Sequence, residues 1–301
     1  MAIHATFRQL RLFLAFADHG GVSAAARASH VTQPTVSMQL RELEQAIGTP
    51  LHEKVGSRVF LTPAGAALAT AARAIEREWA DFEQQIDSQK GITRGRLSVS
   101  FASTASYFLP RLLSGFCAEH PKVDLAFEVL NRDGVIARLR ENRDDLYVLS
   151  VPPRDIALEV LPFLANPLVL VAPRRHPLTR RKSIALTSLA GERFILREAG
   201  SGTRLTCDAF FKRARFSPDV RLELGSNEAI KEAVAGGLGI GIVSAHSIAR
   251  SDRLAVLPVR GFPLESTWSI LHPKGKKLSP IAQSFLSHLL AHASEARRAR
   301  A

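Results

Sequence analysis

The sequence predicts an α/β chain in three parts: a small helical unit at the amino terminus, one long helix, and a larger region of alternating strands and helices. Three observations carry this. Residues 6–47 contain successive segments whose apolar residues recur at helical spacing, punctuated by Gly20-Gly21 and a short polar turn. Residues 63–90 hold no proline after Pro63 and no glycine after Gly65, so one helix can run through nearly all of them. Beyond residue 95, short Val/Leu/Ile-rich runs alternate with helical patterns, which implies strands joined by crossover helices and a parallel sheet.

In the first part, Thr6-Phe-Arg-Gln9 has the spacing of a capping box. Phe7, Leu10, Phe13, Leu14 and Ala17 then give one apolar side to a helix that stops at Gly20-Gly21. Ser23 is placed to cap a short Ala-rich helix to about Ala28, Ser29–Val31 form a turn, and Thr32 caps a further helix with Pro34 in its first turn. Val36, Leu40, Leu43 and Ile47 form one stripe of that helix and must be buried. The opposite face carries Pro34, Ser37, Met38 and Arg41, with Gln33 and Thr35 at the amino-terminal end. This is the layout of a helix-turn-helix whose second helix reads base edges in a major groove. The competing reading is a helical hairpin of the kind found in any all-α domain. Leu51–Leu61 alternates around Gly56-Ser57 and reads as a two-stranded wing, with Arg58 near its tip as a phosphate or minor-groove contact. His52 has no second metal-type ligand at useful spacing.

Thr62 caps and Pro63 starts the long helix, which spans roughly 40 Å at 1.5 Å per residue. Leu68, Ala72, Ile75, Trp79, Phe82 and Ile86 follow one another at heptad spacing along it. A helix between domains lacks an obvious partner for such a seam in its own chain, so the seam points to a second subunit; the alternative is packing on the larger region. Gly91–Arg96 reads as a basic hinge. After it come strands Leu97–Phe101, Val123–Leu130 and Leu146–Leu149, with helices from Thr104 to about Glu119 and near Val135–Arg140. A second series follows: strands Leu168–Val171, Phe194–Leu196, Val220–Leu224 and Ile240–Val243, with helices from Thr203 to about Arg213 and over Asn227–Ala235. Pro162 and Pro167 bracket a crossing between two lobes.

Composition sets outer bounds. The 301 residues, 46% apolar and 23% charged, suffice for two or three compact units. No apolar run approaches the roughly 18–20 residues that cross a bilayer, and the amino terminus lacks a basic segment followed by an apolar core, so a cytoplasmic chain is expected. Cys117 and Cys207 lack metal-type or redox-type spacing and read as small buried hydrophobes. The net charge of +12 is not concentrated where DNA would be read. Residues 1–65 hold Arg8, Arg11, Arg27, Arg41, Lys54 and Arg58 against Asp18, Glu42, Glu44 and Glu53, and the excess lies beyond residue 90.

Three strand-to-helix junctions there present hydroxyls and glycines at helix starts: Ser103-Thr104, Gly200-Ser-Gly-Thr-Arg204 and Gly225-Ser-Asn227. Free backbone N–H groups at such starts bind anions, and ligands of open α/β sheets sit beyond the carboxyl ends of strands. One such junction is usually a simple cap. Three of them, flanked by Arg197 and Arg204, point to an anionic ligand. Catalytic signals are weak. Gly236–Gly241 lacks dinucleotide-loop spacing and leads into a strand, so it reads as a helix end plus a buried strand. There is no Gly-x-Ser-x-Gly elbow, Walker loop or His-Glu-x-x-His, and His288 and His292 lack a third ligand, so no catalytic or metal residue is assigned.

The segments Ala24–Ala28, Thr32–Glu44 and Leu61-Thr-Pro-Ala-Gly65 resemble the amino-terminal domain of LysR-type transcriptional regulators. Arg197–Arg204 and Leu224–Lys231 are most similar to the subgroup that controls carbon-fixation (Calvin-cycle, RuBisCO) operons. The resemblance implies a winged helix-turn-helix at 1–62, a dimerising linker helix at 63–90, and a two-lobed, periplasmic-binding-protein-like effector domain at 91–301. Lobe I would take 91–165 and 267–301, and lobe II 166–266, with a strand near Trp268–Leu271 and a helix from Pro280 to about Ala293 returning to lobe I. The tail Glu295–Arg300 would be solvated. It further implies a non-enzymatic regulator, probing promoter DNA with Ser23, Thr32, Gln33, Pro34, Thr35, Ser37, Met38, Arg41 and Arg58. Its effector would lie against Ser103, Thr104, Arg197, Ser201, Gly202, Thr203, Arg204 and Asn227. No obligate cofactor is expected, only a co-inducer, a phosphorylated metabolite or NADPH. Further partners would be the chain itself, as dimer and homotetramer, and RNA polymerase. The alternative within the family is a regulator of aromatic or sulfur metabolism answering to a carboxylate or sulfur anion. Where the family usually has an aromatic, this chain has His52, a change expected to touch local packing.

Overall fold

The computed structural model describes residues 4–56, 58–89, 95–249 and 253–298. The chain divides into two compact units, Met1–Ile86 and Asp87–Ala301.

The first unit contains α1 (Phe7–His19), α2 (Val22–Ala28), α3 (Gln33–Ile47), β1 (His52–Val55), β2 (Arg58–Leu61) and most of α4 (Pro63–Gln89). Thr6 caps α1 in the expected reciprocal arrangement with Gln9, and Gly20 ends it in the left-handed conformation, where a side chain would be strained. The buried face of α1 is wider than the spacing suggested, because Leu12 and Phe16 are buried together with Leu10, Phe13 and Leu14. Phe16 is claimed by the wing, meeting the His52 ring at 4.8 Å between centroids, so His52 does pack as an aromatic would. Its Nδ1 also lies 3.0 Å from the Glu44 carboxylate. The expectation that Ser23 caps α2 is corrected: Gly21 is the capping residue and Ser23 stands exposed in the first turn. Thr32 caps α3 through the Thr35 N–H, and Val36, Leu40 and Leu43 are buried. β1 and β2 pair antiparallel from His52↔Leu61 to Val55↔Arg58, across a turn in which Gly56 is left-handed. Ser57 lies outside the described residues.

α4 begins against this core, its first turn held by Thr62, which accepts from the Gly65 N–H. Ala69 and Ala72 are fully buried, whereas Ile75, Trp79 and Phe82 are 47%, 53% and 51% exposed. The heptad seam is therefore divided: its first half belongs to the core of its own unit, contrary to the expectation that it all awaits a partner. Gly65 sits where α4 passes the start of the wing, and a Cβ there would overlap the Leu51 carbonyl oxygen. Backbone cannot yield as a flexible side chain can, so Gly65→Ala is expected to destabilise this unit by about 1–3 kcal/mol. Thermal melting followed by circular dichroism checks it, and an unchanged first transition would contradict the close approach.

The second unit contains β3 (Gly95–Ala102), a 3-10 turn (Ser103–Tyr107), α5 (Leu109–Glu119), β4 (Val123–Leu130), α6 (Arg132–Arg140), β5 (Leu146–Leu149), β6 (Leu158–Ala165) and β7 (Leu168–Pro173). These are followed by β8 (Arg193–Arg197), α7 (Gly202–Ala214), β9 (Asp219–Leu224), α8 (Asn227–Ala235), β10 (Ile240–Ser244), β11 (Leu254–Val256), β12 (Thr267–Pro273) and α9 (Pro280–Arg298). The strands form two five-stranded sheets, β4-β3-β5-β12-β6 in one lobe and β11-β7-β10-β8-β9 in the other. The sheets are mixed, not parallel throughout as the alternation suggested. β3 pairs in parallel with β4 and β5, but β12 runs antiparallel to β5 and β6. In the other sheet β8 pairs in parallel with β9 and β10, while β7 is antiparallel to β10 and β11.

The single helix expected from Thr104 is split. Ser103–Tyr107 is a 3-10 turn, and the chain restarts at Leu109 with Pro110 in the first turn of α5. β6 runs through Pro162, expected with Pro167 to bracket the crossing between the lobes. It is an edge strand with an irregularity opposite Trp268/Ser269, where a residue lacking an N–H is tolerated. Phe163 is thereby turned into the core beside Phe108. Each lobe has its own apolar core. Phe101, Phe116, Trp268 and Phe285 anchor one, and Phe194, Phe211 and Leu264 the other. Burial of each such side chain contributes roughly 1.5–3 kcal/mol.

Gly236 ends α8 and Gly241 lies within buried β10 against Ile230 and Val234, so the glycine run is a helix end and a strand. α9 continues to Arg298, past the expected stop near Ala293. Cys207 is buried, and desolvation pushes its thiol up to about 12, but Cys117 is exposed, contrary to expectation. Residues 91–94 of the expected hinge, and residues 299–301, lie outside the described residues. No helix among the described residues is long and apolar enough to cross a membrane.

Candidate functional site

The first unit presents one polar helix face. With Val36, Leu40 and Leu43 turned inward, Gln33, Pro34, Ser37, Met38 and Arg41 are all exposed, and Met38 is 52% accessible. Thr35 is half-buried and its hydroxyl lies 2.8 Å from that of Thr32, so both hydroxyls are partly occupied in holding the helix start. Arg41, and Arg58 on the wing, are exposed and have no hydrogen-bond or ion-pair partner among the described residues. Glu42, by contrast, is engaged by Gln39 and Gln9. The face thus offers an amide and hydroxyls near the positive end of the helix dipole, with the guanidinium groups of Arg41 further along the helix and of Arg58 on the wing, which suits the edges and phosphates of a duplex.

In the second unit two of the three helix starts meet across the two lobes, together with Arg197 from the strand that precedes the third. Thr104, from the 3-10 turn of one lobe, accepts hydrogen bonds at 3.0 Å from Arg197 Nη1 and at 3.0 Å from Asn227 Nδ2 of the other. Arg197 is only 4% exposed, and its charge is met by Glu198 in a two-pronged pair, Nε to Oε2 at 2.7 Å and Nη2 to Oε1 at 2.9 Å. Among the described residues Asn227 Oδ1, though buried, has no hydrogen-bond partner. An unmet buried acceptor costs about 1–3 kcal/mol unless a bound molecule donates to it. Ser201 caps α7 through the Arg204 N–H at 3.2 Å. Gly202 passes so close to Ser150 that a Cβ there would overlap its hydroxyl. Thr203 is buried and Ser103 half-buried.

Arg204 departs from its expected role as charge partner. Its Nε meets Asp208 at 2.9 Å, and its Nη1 meets Glu223 at 2.7 Å and the Arg197 carbonyl at 3.0 Å, so it braces α7 against β8 and β9. Burial lowers its pKa, but the hydrogen bonds it donates to Glu223 and Asp208 together outweigh that and raise it. Three groups at the cleft were missed from sequence. Tyr107 donates to Glu228 at 2.7 Å across the lobes, and the buried Lys231 pairs with the same carboxylate at 3.0 Å and donates to the Ser247 carbonyl at 2.9 Å. Lys231 lies one helical turn beyond Asn227, and that spacing was the available signal.

A helix-turn-helix with a wing, followed in the same chain by a two-lobed α/β unit with a polar cleft, defines a DNA-binding regulator with a separate sensing domain. Residues 7–66 match the helix-turn-helix of bacterial regulatory proteins of the lysR family, and residues 90–294 match the LysR substrate binding domain. The chain belongs to the LysR family of transcriptional regulators. It is 44% identical over 295 residues to the RuBisCO operon transcriptional regulator of Acidithiobacillus ferrooxidans, covering 97% of this chain and 96% of that protein. It is 42% identical over 292 residues to the transcriptional activator CmpR of a Synechocystis strain, covering 96% of each. Among solved structures it is similar to the regulatory domain of Synechocystis CcmR in complex with 2-PG, with a TM-score of 0.63 and 44% identity over 66% of this chain and 97% of that one. Full-length CbnR complexed with its target DNA matches with a TM-score of 0.70 and 25% identity over 96% of this chain and all of that one, 100%.

Proposed function

We propose that this chain regulates carbon-fixation genes by binding promoter DNA through α3 and the wing, under the control of a compact phosphorylated acid such as 2-phosphoglycolate held in the interlobe cleft. The observation that carries this reading is the Thr104–Arg197–Asn227 set, in which a buried guanidinium and a buried amide N–H of one lobe meet a hydroxyl of the other. The 44% identity to a regulatory domain solved with 2-PG supports the choice of ligand. Close, nine-tenths-buried donors suit a small anion better than a dinucleotide such as NADPH. The working boundaries are DNA-binding 1–62, linker 63–90 and effector domain 91–301, with the linker joining two subunits and two dimers forming a tetramer.

The DNA half is tested by gel shifts at fixed salt on the intergenic DNA beside the chain's own gene. Gln33→Ala with Ser37→Ala is expected to lose about 1–3 kcal/mol for each base contact removed, with relaxed selectivity. Arg58→Ala should weaken binding to all sequences alike and flatten the salt dependence. Unchanged selectivity in the double variant would mean that the exposed face of α3 does not read bases.

A further inference from the structure

The second unit holds another cavity, of about 930 Å³, within the size range of small-molecule sites. None of the cleft residues Ser103, Thr104, Arg197, Ser201, Gly202, Thr203 and Asn227 lines it. One wall is a stripe of α7 at helical spacing, Leu205, Thr206, Ala209, Phe210 and Arg213. It is a different face from the one that buries Thr203, Cys207 and Phe211, and from the one that carries Arg204 and Asp208 to β9. The facing wall comes from the other lobe, Arg132 at the start of α6 and Val151–Arg154 after β5. The contact of Gly202 with Ser150 and Val151 lies immediately beside it, so cleft and pocket flank the same point where the lobes touch.

The lining is apolar at Leu205, Ala209, Phe210 and Val151, and cationic at Arg132, Arg154 and Arg213, against the single acid Glu265. Arg154 and Arg213 are exposed and have no hydrogen-bond or ion-pair partner among the described residues. Arg132 Nε donates to the Val151 carbonyl at 2.9 Å, which fixes its guanidinium at the rim. Arginines that only solvate a surface do not need a concave apolar floor between them. The basic excess of this region, which the DNA-reading unit does not share, has a use here.

We propose that this pocket is a second ligand site, for an organic anion with an apolar body: a carboxylate or phosphate held by the arginines and a hydrocarbon or ring lying on Leu205, Ala209 and Phe210. Because the charges come from both lobes, occupancy ties the lobes together and makes the chain responsive to two metabolites at once. The site does not depend on the reading of the cleft.

The test is calorimetry on the full-length protein with phenyl phosphate as probe, and with inorganic phosphate and benzyl alcohol as its separate halves. The wild type should bind phenyl phosphate at least about tenfold more tightly than either half, since charge-assisted hydrogen bonds and apolar burial act together. Arg154→Ala with Arg213→Ala, both exposed and unpaired, should weaken binding about tenfold or more, as should Ala209→Trp, which fills the floor. Lys212→Ala, which removes an exposed cation of α7 that does not line the pocket, should leave it unchanged. No binding at millimolar probe, equal binding of inorganic phosphate, wild-type affinity in the two pocket variants, or an equal loss in Lys212→Ala would each overturn the proposal.

Discussion

Trp79→Glu combined with Phe82→Glu is expected to separate the subunits while leaving each one folded. Ile75, Trp79 and Phe82 stand about half exposed at 4 and 3 residue spacing on α4, beyond the point where Ala69 and Ala72 are consumed by the core of the first unit. The Trp79 ring meets Phe82 at 5.8 Å and Phe7 at 5.9 Å, so it forms a small aromatic ridge at the surface of that unit. Such a ridge on a helix of heptad pattern is expected to be covered by the same helix of a second subunit. Carboxylates placed there would be desolvated without partners, at a cost of several kcal/mol. Dimerisation should weaken by about a hundredfold or more, which is roughly 2.8 kcal/mol. Sedimentation velocity over a concentration series checks this, with far-UV circular dichroism as the control for folding. A wild-type oligomer distribution would show that the seam is not the interface.

The second large effect is expected at Arg197, and its sign reverses at its neighbour. Arg197→Ala removes the buried guanidinium of the cleft and strands Glu198, so binding of 2-phosphoglycolate should fall by about 10- to 100-fold, the measure of one or two hydrogen bonds to a charged group. Glu198→Gln should do the opposite. Glu198 now neutralises Arg197 through both carboxylate oxygens, and an incoming anion must share or displace that pairing. Removing its charge should tighten binding. Calorimetry with both variants separates a ligand role from a structural one, because a site merely damaged would lose affinity in each.

Most helices and strands were legible in the sequence because their signals are local. The capping box at Thr6, the Thr32 cap, the apolar stripe of α3 and the glycine stops all act within one or two turns, and each stands where expected. The site was legible in part: the three helix starts could be named, but the meeting of Thr104 with Arg197 and Asn227 depends on contacts between the lobes. What escaped depends on contacts distant in sequence. β6 was hidden because Pro162 is harmless only at a sheet edge opposite an irregularity, which no local pattern reveals. The antiparallel β12 follows from the chain's return to the first sheet, a matter of topology. Arg204 was misassigned because Asp208 is near in sequence but Glu223 is not, and together they hold its guanidinium on the β9 side of α7. Lys231 was not singled out because Tyr107 and Ser247, which it meets in the fold, are distant from it in sequence.

On the function proposed above, occupancy of the cleft changes how the helix-turn-helix engages DNA. The direct measurement is a DNase footprint of the full-length protein on the intergenic DNA beside its gene, titrated with 2-phosphoglycolate and repeated with Arg197→Ala. The ligand should alter the extent or affinity of protection in the wild type, saturably, and Arg197→Ala should still bind the DNA but no longer respond. Protection that stays the same at every concentration of 2-phosphoglycolate, yet shifts with an aromatic carboxylate or a sulfur anion, would contradict it.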